Sequence, residues 1–258
     1  MRDFDRNKPS IARVYDYWLG GKDNFGADRD LGDQLMGIAP EIPDMVRENR
    51  AMLVTAVRWA AGQGLTQFID LGCGLPTEPS IHATAQADGL DAKVAYVDND
   101  PIVISHLTAM LHKDPAVAVI DCDIDDSGTV LSEVSRLIDL SRPACLVLGS
   151  VLHFYTKDEA RDLVARYVSA LAPGSFVVLT TVGLRPGPAA DRMVAMYSAG
   201  PHPAYIHSPE DLTSFTGGLE VLPPGVADAR AWRPGWDTVP EPAPRGVWMN
   251  GIMARVPG

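Results

Sequence analysis

From Gln67 to Val182 the chain repeats one pattern: a short apolar run, a tip rich in glycine or aspartate, then a helical stretch. The apolar runs are Gln67 to Leu71, Lys93 to Val97, Val117 to Ile120, Ala144 to Leu148 and Ser175 to Val182. They are continuous rather than alternating, as strands covered on both faces are. Helical stretches separate them near Glu78 to Ala87, Pro101 to His112, Ser127 to Leu140 and Thr156 to Leu171. This alternation predicts βαβ units and a mostly parallel, doubly wound α/β sheet with helices on both faces.

The flanks read differently. Residues 1–43 are polar and turn-rich; Ile11 to Leu19 reads as a helix, and the rest as loop and short helix wrapped on the body. Asp44 to Gly62 reads as a helix capped by Asp44 and stopped by Gly62 and Gly64. Beyond Thr181, Pro188 to Ala199 reads as a helix, and Ser208 with Asp211 forms a capping box for another. Leu219 to Leu222 and Val247 to Ala254 read as the last strands, joined by a proline-rich loop holding Trp232 and Trp236. With no internal sequence repeat and no linker, the 258 residues read as one domain: an N-terminal segment over 1–43 and a core over 44–258.

Bulk properties narrow the function. A formal net charge of −11 lowers the expectation of a nucleic-acid acceptor or an anionic membrane surface. Cys73, Cys122 and Cys145 form no C-x-x-C pair and sit in or beside apolar runs, so they read as buried thiols of a reducing compartment. No signal-type apolar core and no bilayer-length run is present, which predicts a cytoplasmic protein. His202 and His207 do not make a metal set, and no other zinc-like spacing occurs, so no metal is expected.

In such a sheet, ligands bind beyond the carboxyl ends of the strands. Four tips there are candidates. Asp70-Leu71-Gly72-Cys73-Gly74 allows close backbone approach. It is not a dinucleotide fingerprint, because Thr77 stands in place of the third glycine. Asp70 suits an ammonium better than a pyrophosphate. Asp98, followed by Asn99, can accept from both hydroxyls of a ribose, or serve only as a solvated acid. Asp123 can accept from an adenine amino group while the N–H of Ile124 addresses the ring. Ser150 and His153, after the fourth strand, lie where a transferable group would sit; His153 reads equally as base, donor or wall residue. Arg50, near the apolar stripe of its helix, needs a partner, either a ligand carboxylate or a core aspartate.

These residues together resemble the class I, Rossmann-like S-adenosylmethionine-dependent methyltransferases. Within that class they are most similar to a bacterial S-adenosyl methyltransferase family long classed as a domain of unknown function. The blocks that carry the resemblance are PSIARVYDYWLGGKDNFGADR (Pro9 to Arg29), RENRAML (Arg47 to Leu53), QFIDLGCGLPT (Gln67 to Thr77), YVDNDP (Tyr96 to Pro101), the acidic DCDIDD and VLHF (Val151 to Phe154).

The resemblance implies a seven-stranded sheet of order 3-2-1-4-5-7-6 with the last strand antiparallel. It implies S-adenosylmethionine as cofactor, with Gly72 and Gly74 lining it, Asp98 on the ribose and Asp123 on the adenine. The N-terminal block, with Tyr15, Asp16, Gly20, Gly21 and Asn24, would fold over it as a lid, and Arg50 would approach its carboxylate. Tyr15, Tyr17 and His153 are candidates for shaping the acceptor pocket. The function expected is methyl transfer to an unidentified, small-molecule acceptor, which requires no dedicated base if that acceptor is a thiol, a carboxylate or an amine. Two rivals stand beside it: a protein that binds S-adenosylmethionine or S-adenosylhomocysteine without catalysis, and a nicotinamide-dependent oxidoreductase, against which Asp70 and Thr77 speak.

Overall fold

The computed structural model describes residues 5–87, 89–199 and 203–258; His202 lies outside them. The chain runs α1 (Ile11–Leu19), α2 (Gly26–Ile38), α3 (Ile42–Gly62), β1 (Gln67–Leu71), α4 (Ile81–Gln86), β2 (Lys93–Asp98), α5 (Pro101–Leu111), β3 (Val117–Asp121), α6 (Ser127–Val134), β4 (Cys145–Gly149), α7 (Lys157–Val168), β5 (Phe176–Leu184), α8 (Pro188–Ser198), α9 (Pro209–Ser214), β6 (Glu220–Val221), β7 (Ala227–Asp228) and β8 (Val247–Arg255).

The strands form one sheet of order β3-β2-β1-β4-β5-β8-β6, with β7 also paired to β8. Strands β1 to β5 are parallel and β8 is antiparallel to β5. With β6 and β8 as the sixth and seventh strands, this is the expected order. The difference is β7, a two-residue strand inside the proline-rich stretch read as loop. It exists because β8 is nine residues long and β6 covers only its end, at Ala254 and Arg255. Gly251 and Asn250 are left for Ala227 and Asp228 to pair with.

The two faces of the sheet are sorted by alternation. Phe68, Val94, Tyr96, Cys145, Val147 and Val178 point to the side of α3, α4 and α5. Ile69, Leu71, Val97, Leu146, Leu148 and Leu179 point to the side of α6, α7 and α9. Every residue of β1 is buried, as the continuous apolar run requires. The sequence-placed Trp232 is wholly buried, whereas Trp236 is exposed.

Besides α6, which ends at Val134 rather than Leu140, three local boundaries differ from expectation. Helix α3 begins at Ile42, with Glu41 at its N-cap. Proline fits the first turn of a helix, so Pro43 lies inside it and Asp44 pairs with Arg47 instead of capping. Helix α4 starts only at Ile81, after Pro76 and Pro79, where Ser80 accepts from the Ala83 N–H. The third is α2, thirteen residues in a region read as loop and short helix. Its glycines hide it, yet Gly32 is needed for packing: a Cβ there would lie 2.7 Å from Cδ1 of Tyr17.

A buried ion pair holds α1 to α2. Arg13 Nε lies 2.9 Å from Asp28 Oδ2, with side chains 4% and 0% exposed. Asp28 also accepts from the N–H groups of Phe25 and Ser10. Arg13 donates to the Lys8 carbonyl and stands 3.7 Å from Asp100, which also accepts from the Ser10 hydroxyl. Removing one partner strands a buried charge, which typically costs about 3–5 kcal/mol. Asp28→Ala is therefore expected to lower unfolding stability by about 3 kcal/mol; a urea melt showing less than about 0.5 kcal/mol, the scale of an ordinary surface change, would refute the assignment.

Candidate functional site

Beyond the carboxyl ends of β1 to β4, where the strand order reverses, lies a cavity of about 560 Å³. The tips of the strands make its floor. The N–H groups of Gly72 and Cys73 both donate to the Val97 carbonyl, at 2.8 and 3.2 Å, which folds the β1 tip against β2. Gly72 sits at φ +66°, and a Cβ there would lie 2.5 Å from the Val151 side chain. Only glycine serves at such a point.

Asp98, 8% exposed, accepts from the N–H groups of Gly74 and Asp100, each at 2.9 Å. Burial still raises its carboxyl above the usual range. At the next tip Asn99 donates to Asp123 Oδ2 at 2.8 Å, and Asp123 Oδ1 accepts from the Asp125 N–H at 3.0 Å. The Ile124 carbonyl accepts from the Tyr167 hydroxyl of α7 at 2.7 Å. Asp98, Asn99, Asp123 and Ile124 all line the cavity.

The other end is built by α3, which presents Asn49, Arg50 and Leu53. Asp70 lies there, 5% exposed; burial above all, then the charge of Asp98, pushes its carboxyl up to about 7, against the pull of Arg50. Arg50 makes no ion pair among the described residues; it donates to the carbonyls of Pro79 at 3.3 Å and Thr77 at 3.5 Å. Asn49 donates to the Tyr15 hydroxyl at 2.9 Å, and that hydroxyl donates to the Val46 carbonyl at 3.2 Å. Asn49 Oδ1 is buried with no partner among the described residues. A buried orphan acceptor beside an ionisable carboxyl matches a ligand that brings N–H donors and positive charge. Arg50 adds a cation for an anionic group.

Tyr15 lines the cavity from α1, beside Ile11 and Asp16. Tyr17 does not: its hydroxyl donates to Asp33 at 2.6 Å, within the α1–α2 pair. Gly20 is not on the wall either. It ends α1 at φ +84° and turns the chain so that the Gly21 N–H reaches the Asp16 carbonyl. Ser150, at φ +61°, donates its N–H to Thr180 Oγ1 and lies on the wall. His153 stands behind it, facing a second, apolar cavity.

Asn49 was legible only as a polar residue in the apolar stripe Met45, Met52, Ala56 of its helix. Tyr205 and Pro203, from the segment before α9, also line the first cavity and carried no sequence signal. Among the described residues no three His, Cys, Asp or Glu side chains gather as a metal site. No described helix is long and apolar enough to cross a membrane.

The family model described as S-adenosyl methyltransferase matches residues 1–257. No curated protein matches the chain. Among solved structures, a candidate methyltransferase from Thermobifida fusca is 38% identical, covering 98% of this chain and 97% of that one, at TM-score 0.90. A DUF574 family protein from Streptomyces avermitilis is 31% identical, covering 98% and 99%, at TM-score 0.88. The magnesium protoporphyrin IX methyltransferase of Synechocystis, solved with S-adenosylhomocysteine, is 15% identical over 97% and 99%, at TM-score 0.54, and shares the fold. With its Rossmann-like sheet and match over nearly its whole length, the chain belongs to the S-adenosyl methyltransferase family and is an S-adenosylmethionine-dependent methyltransferase.

Proposed function

We propose that the larger cavity holds S-adenosylmethionine and that the chain passes its methyl group to a small-molecule acceptor. The observation that carries this is the chemistry gathered at the Asp70 end: a buried carboxyl, an orphan Asn49 Oδ1 and the Arg50 guanidinium. An α-amino acid group needs that combination of anion, acceptor and cation. At the other end Asp98 and Asp123 offer carboxylate oxygens for ribose hydroxyls and an adenine amino group, with the Ile124 N–H for the ring. Gly72 and Gly74 let the ligand lie against backbone. Ser150 and Tyr15 stand between the two cavities, where the methyl would be presented. Helices α1 and α2 act as the cover.

When bound, S-adenosylmethionine supplies a methyl group already activated by the positive sulfur. The protein's share is to orient the partners and exclude water. No base stands ready at the junction: burial, helped by the nearby His207, pulls His153 down to about 3. The neutral acceptor therefore attacks the methyl directly, and the product's proton passes to solvent after the transfer.

Two outcomes are expected. Asp98→Ala should weaken S-adenosylhomocysteine binding about 100-fold by calorimetry, the worth of two hydrogen bonds to a charged group at about 1.5 kcal/mol each; wild-type affinity in that variant would sink the ribose assignment. Asp70 gives a pH dependence. Its raised carboxyl favours folding at acid pH and loses that contribution as pH rises from about 4 towards 7. In the free protein at pH 8, Asp70→Asn should therefore raise stability by on the order of 2–4 kcal/mol, with the gain vanishing near pH 4. Ligand affinity should run the other way in the wild type, rising between pH 6 and 8 as Asp70 ionises to meet the ammonium, and Asp70→Asn should flatten that rise. A flat wild-type profile would remove Asp70 from the binding role.

A further inference from the structure

A second cavity, about 50 Å³, adjoins the first and shares Ile11, Tyr15 and Ser150 with it. Among the described residues its wall carries no Asp, Glu, Lys or Arg. Four rings, those of Tyr15, Trp18, His153 and Tyr197, surround it, and Met45, Met193 and Met249 fill between them. The space holds roughly three to five water-sized spheres, against about 150 Å³ for an apolar cavity that takes benzene, so a flat ring enters only as the methionines around it give way and a bulky one is shut out. Methionines adapt their shape to such a guest. Its outer rim is Ile206, a large apolar side chain left 38% exposed.

Among the polar side chains on this mostly apolar wall, which include Tyr15, Ser150 and Tyr197, the imidazole of His153 is the most buried ring with an unsatisfied nitrogen. His153 is 7% exposed, its Nδ1 is fully buried without a partner, and neither ring nitrogen is hydrogen-bonded among the described residues. Its backbone is well held, since its carbonyl accepts from the Tyr205 N–H at 2.8 Å. The ring itself is held by aromatic contacts alone, with Phe154 at 4.1 Å and Tyr197 at 6.1 Å between centroids. A buried imidazole left unpaired costs folding energy, and a ligand that completes it recovers that loss.

Resting on the methyltransferase reading, we propose that this second cavity is the acceptor site, and that it takes an uncharged aromatic small molecule whose hydroxyl or amine N–H pairs with His153. A carboxylate or phosphate is disfavoured, because nothing on the wall would offset its lost hydration. The acceptor's ring lies among Tyr15, Trp18 and Tyr197, and its nucleophilic atom meets the methyl at Ser150. The nucleophile's lone pair forms the new bond to carbon, the carbon–sulfur pair stays on sulfur and cancels its charge, and the acceptor's proton leaves to water. His153 recognises the acceptor; it does not keep the proton.

Phenol, toluene and benzoate test this by ligand-observed NMR and calorimetry on the full chain saturated with S-adenosylhomocysteine. Phenol is expected to bind, toluene about fivefold more weakly for want of one hydrogen bond, and benzoate not measurably. In His153→Phe the advantage of phenol over toluene disappears. Val194→Phe and Ala204→Phe, which fill the cavity from two different segments, abolish binding of both. Thermal melts confirm that each variant folds; should His153→Phe fail, the two filling variants and the wild-type preference against benzoate still decide. Absence of phenol binding, its persistence in both filling variants, or an unchanged phenol-to-toluene ratio in His153→Phe would overturn the proposal. S-adenosylhomocysteine binding with no phenol binding rejects the acceptor site alone. No S-adenosylhomocysteine binding rejects the cofactor reading, and phenol titration of the free chain then judges the cavity by itself.

Discussion

The register between parallel neighbours is the constraint on which the rest of the molecule depends. Leu71 pairs with Val97, and Asp98 with Asp121. That pairing ends three strands nearly level and delivers Gly72, Asp98 and Asp123 to one rim. The tips then lock one another through backbone bonds: Gly72 and Cys73 to the Val97 carbonyl, Cys122 to the Asp98 carbonyl, Gly74 to the Asp98 carboxylate. A slip of one residue would turn each strand's side chains to the other face. It would also carry the acids away from the cavity. The buried apolar alternation on both faces is what forbids that slip.

Much of this was legible because it follows from patterns the backbone imposes. Continuous apolar runs closed by Gly72, Asp98, Asp121 and Gly149 gave the strands, their parallel order and the level of the rim. Capping chemistry gave α9, where Ser208 and Asp211 form the box expected of them. What escaped depended on distant partners. Helix α2 is glycine-rich and acquires its stability from Arg13 and Tyr17 on α1, so its own residues under-report it. Strand β7 exists only because β8 offers an unpaired stretch. Tyr17 and Gly20 lie in the right block, but Tyr17 turns to Asp33 of α2 and Gly20 caps the end of α1. One turn of a helix separates residues that face a ligand from residues that face a neighbour, and the period alone did not say which side α3 would cover.

The site is also an unfinished part of the core. Asp70, Asp98 and Asn49 are buried at the rim of the sheet with their electrostatic demands only partly met. Backbone N–H groups serve Asp98, and Arg50 stands off from Asp70. Such incompleteness is costly in a packed interior. It is the expected state of a site shaped around a zwitterionic partner, since perfect internal pairing would leave nothing for that partner to gain.

The far edge of the sheet has a consequence for how copies of the chain meet. Beyond β8 the sheet offers no continuous strand, only the two-residue lengths of β6 and β7, separated by a turn through Pro223, Pro224 and Gly225. An intact edge is a template on which another chain can add its own ladder. Here the template is cut into pieces too short to hold one, and the prolines between them have no N–H to give. The broken sixth strand thus leaves this edge, unlike the five-residue β3 at the other, without a ladder long enough for another chain to join.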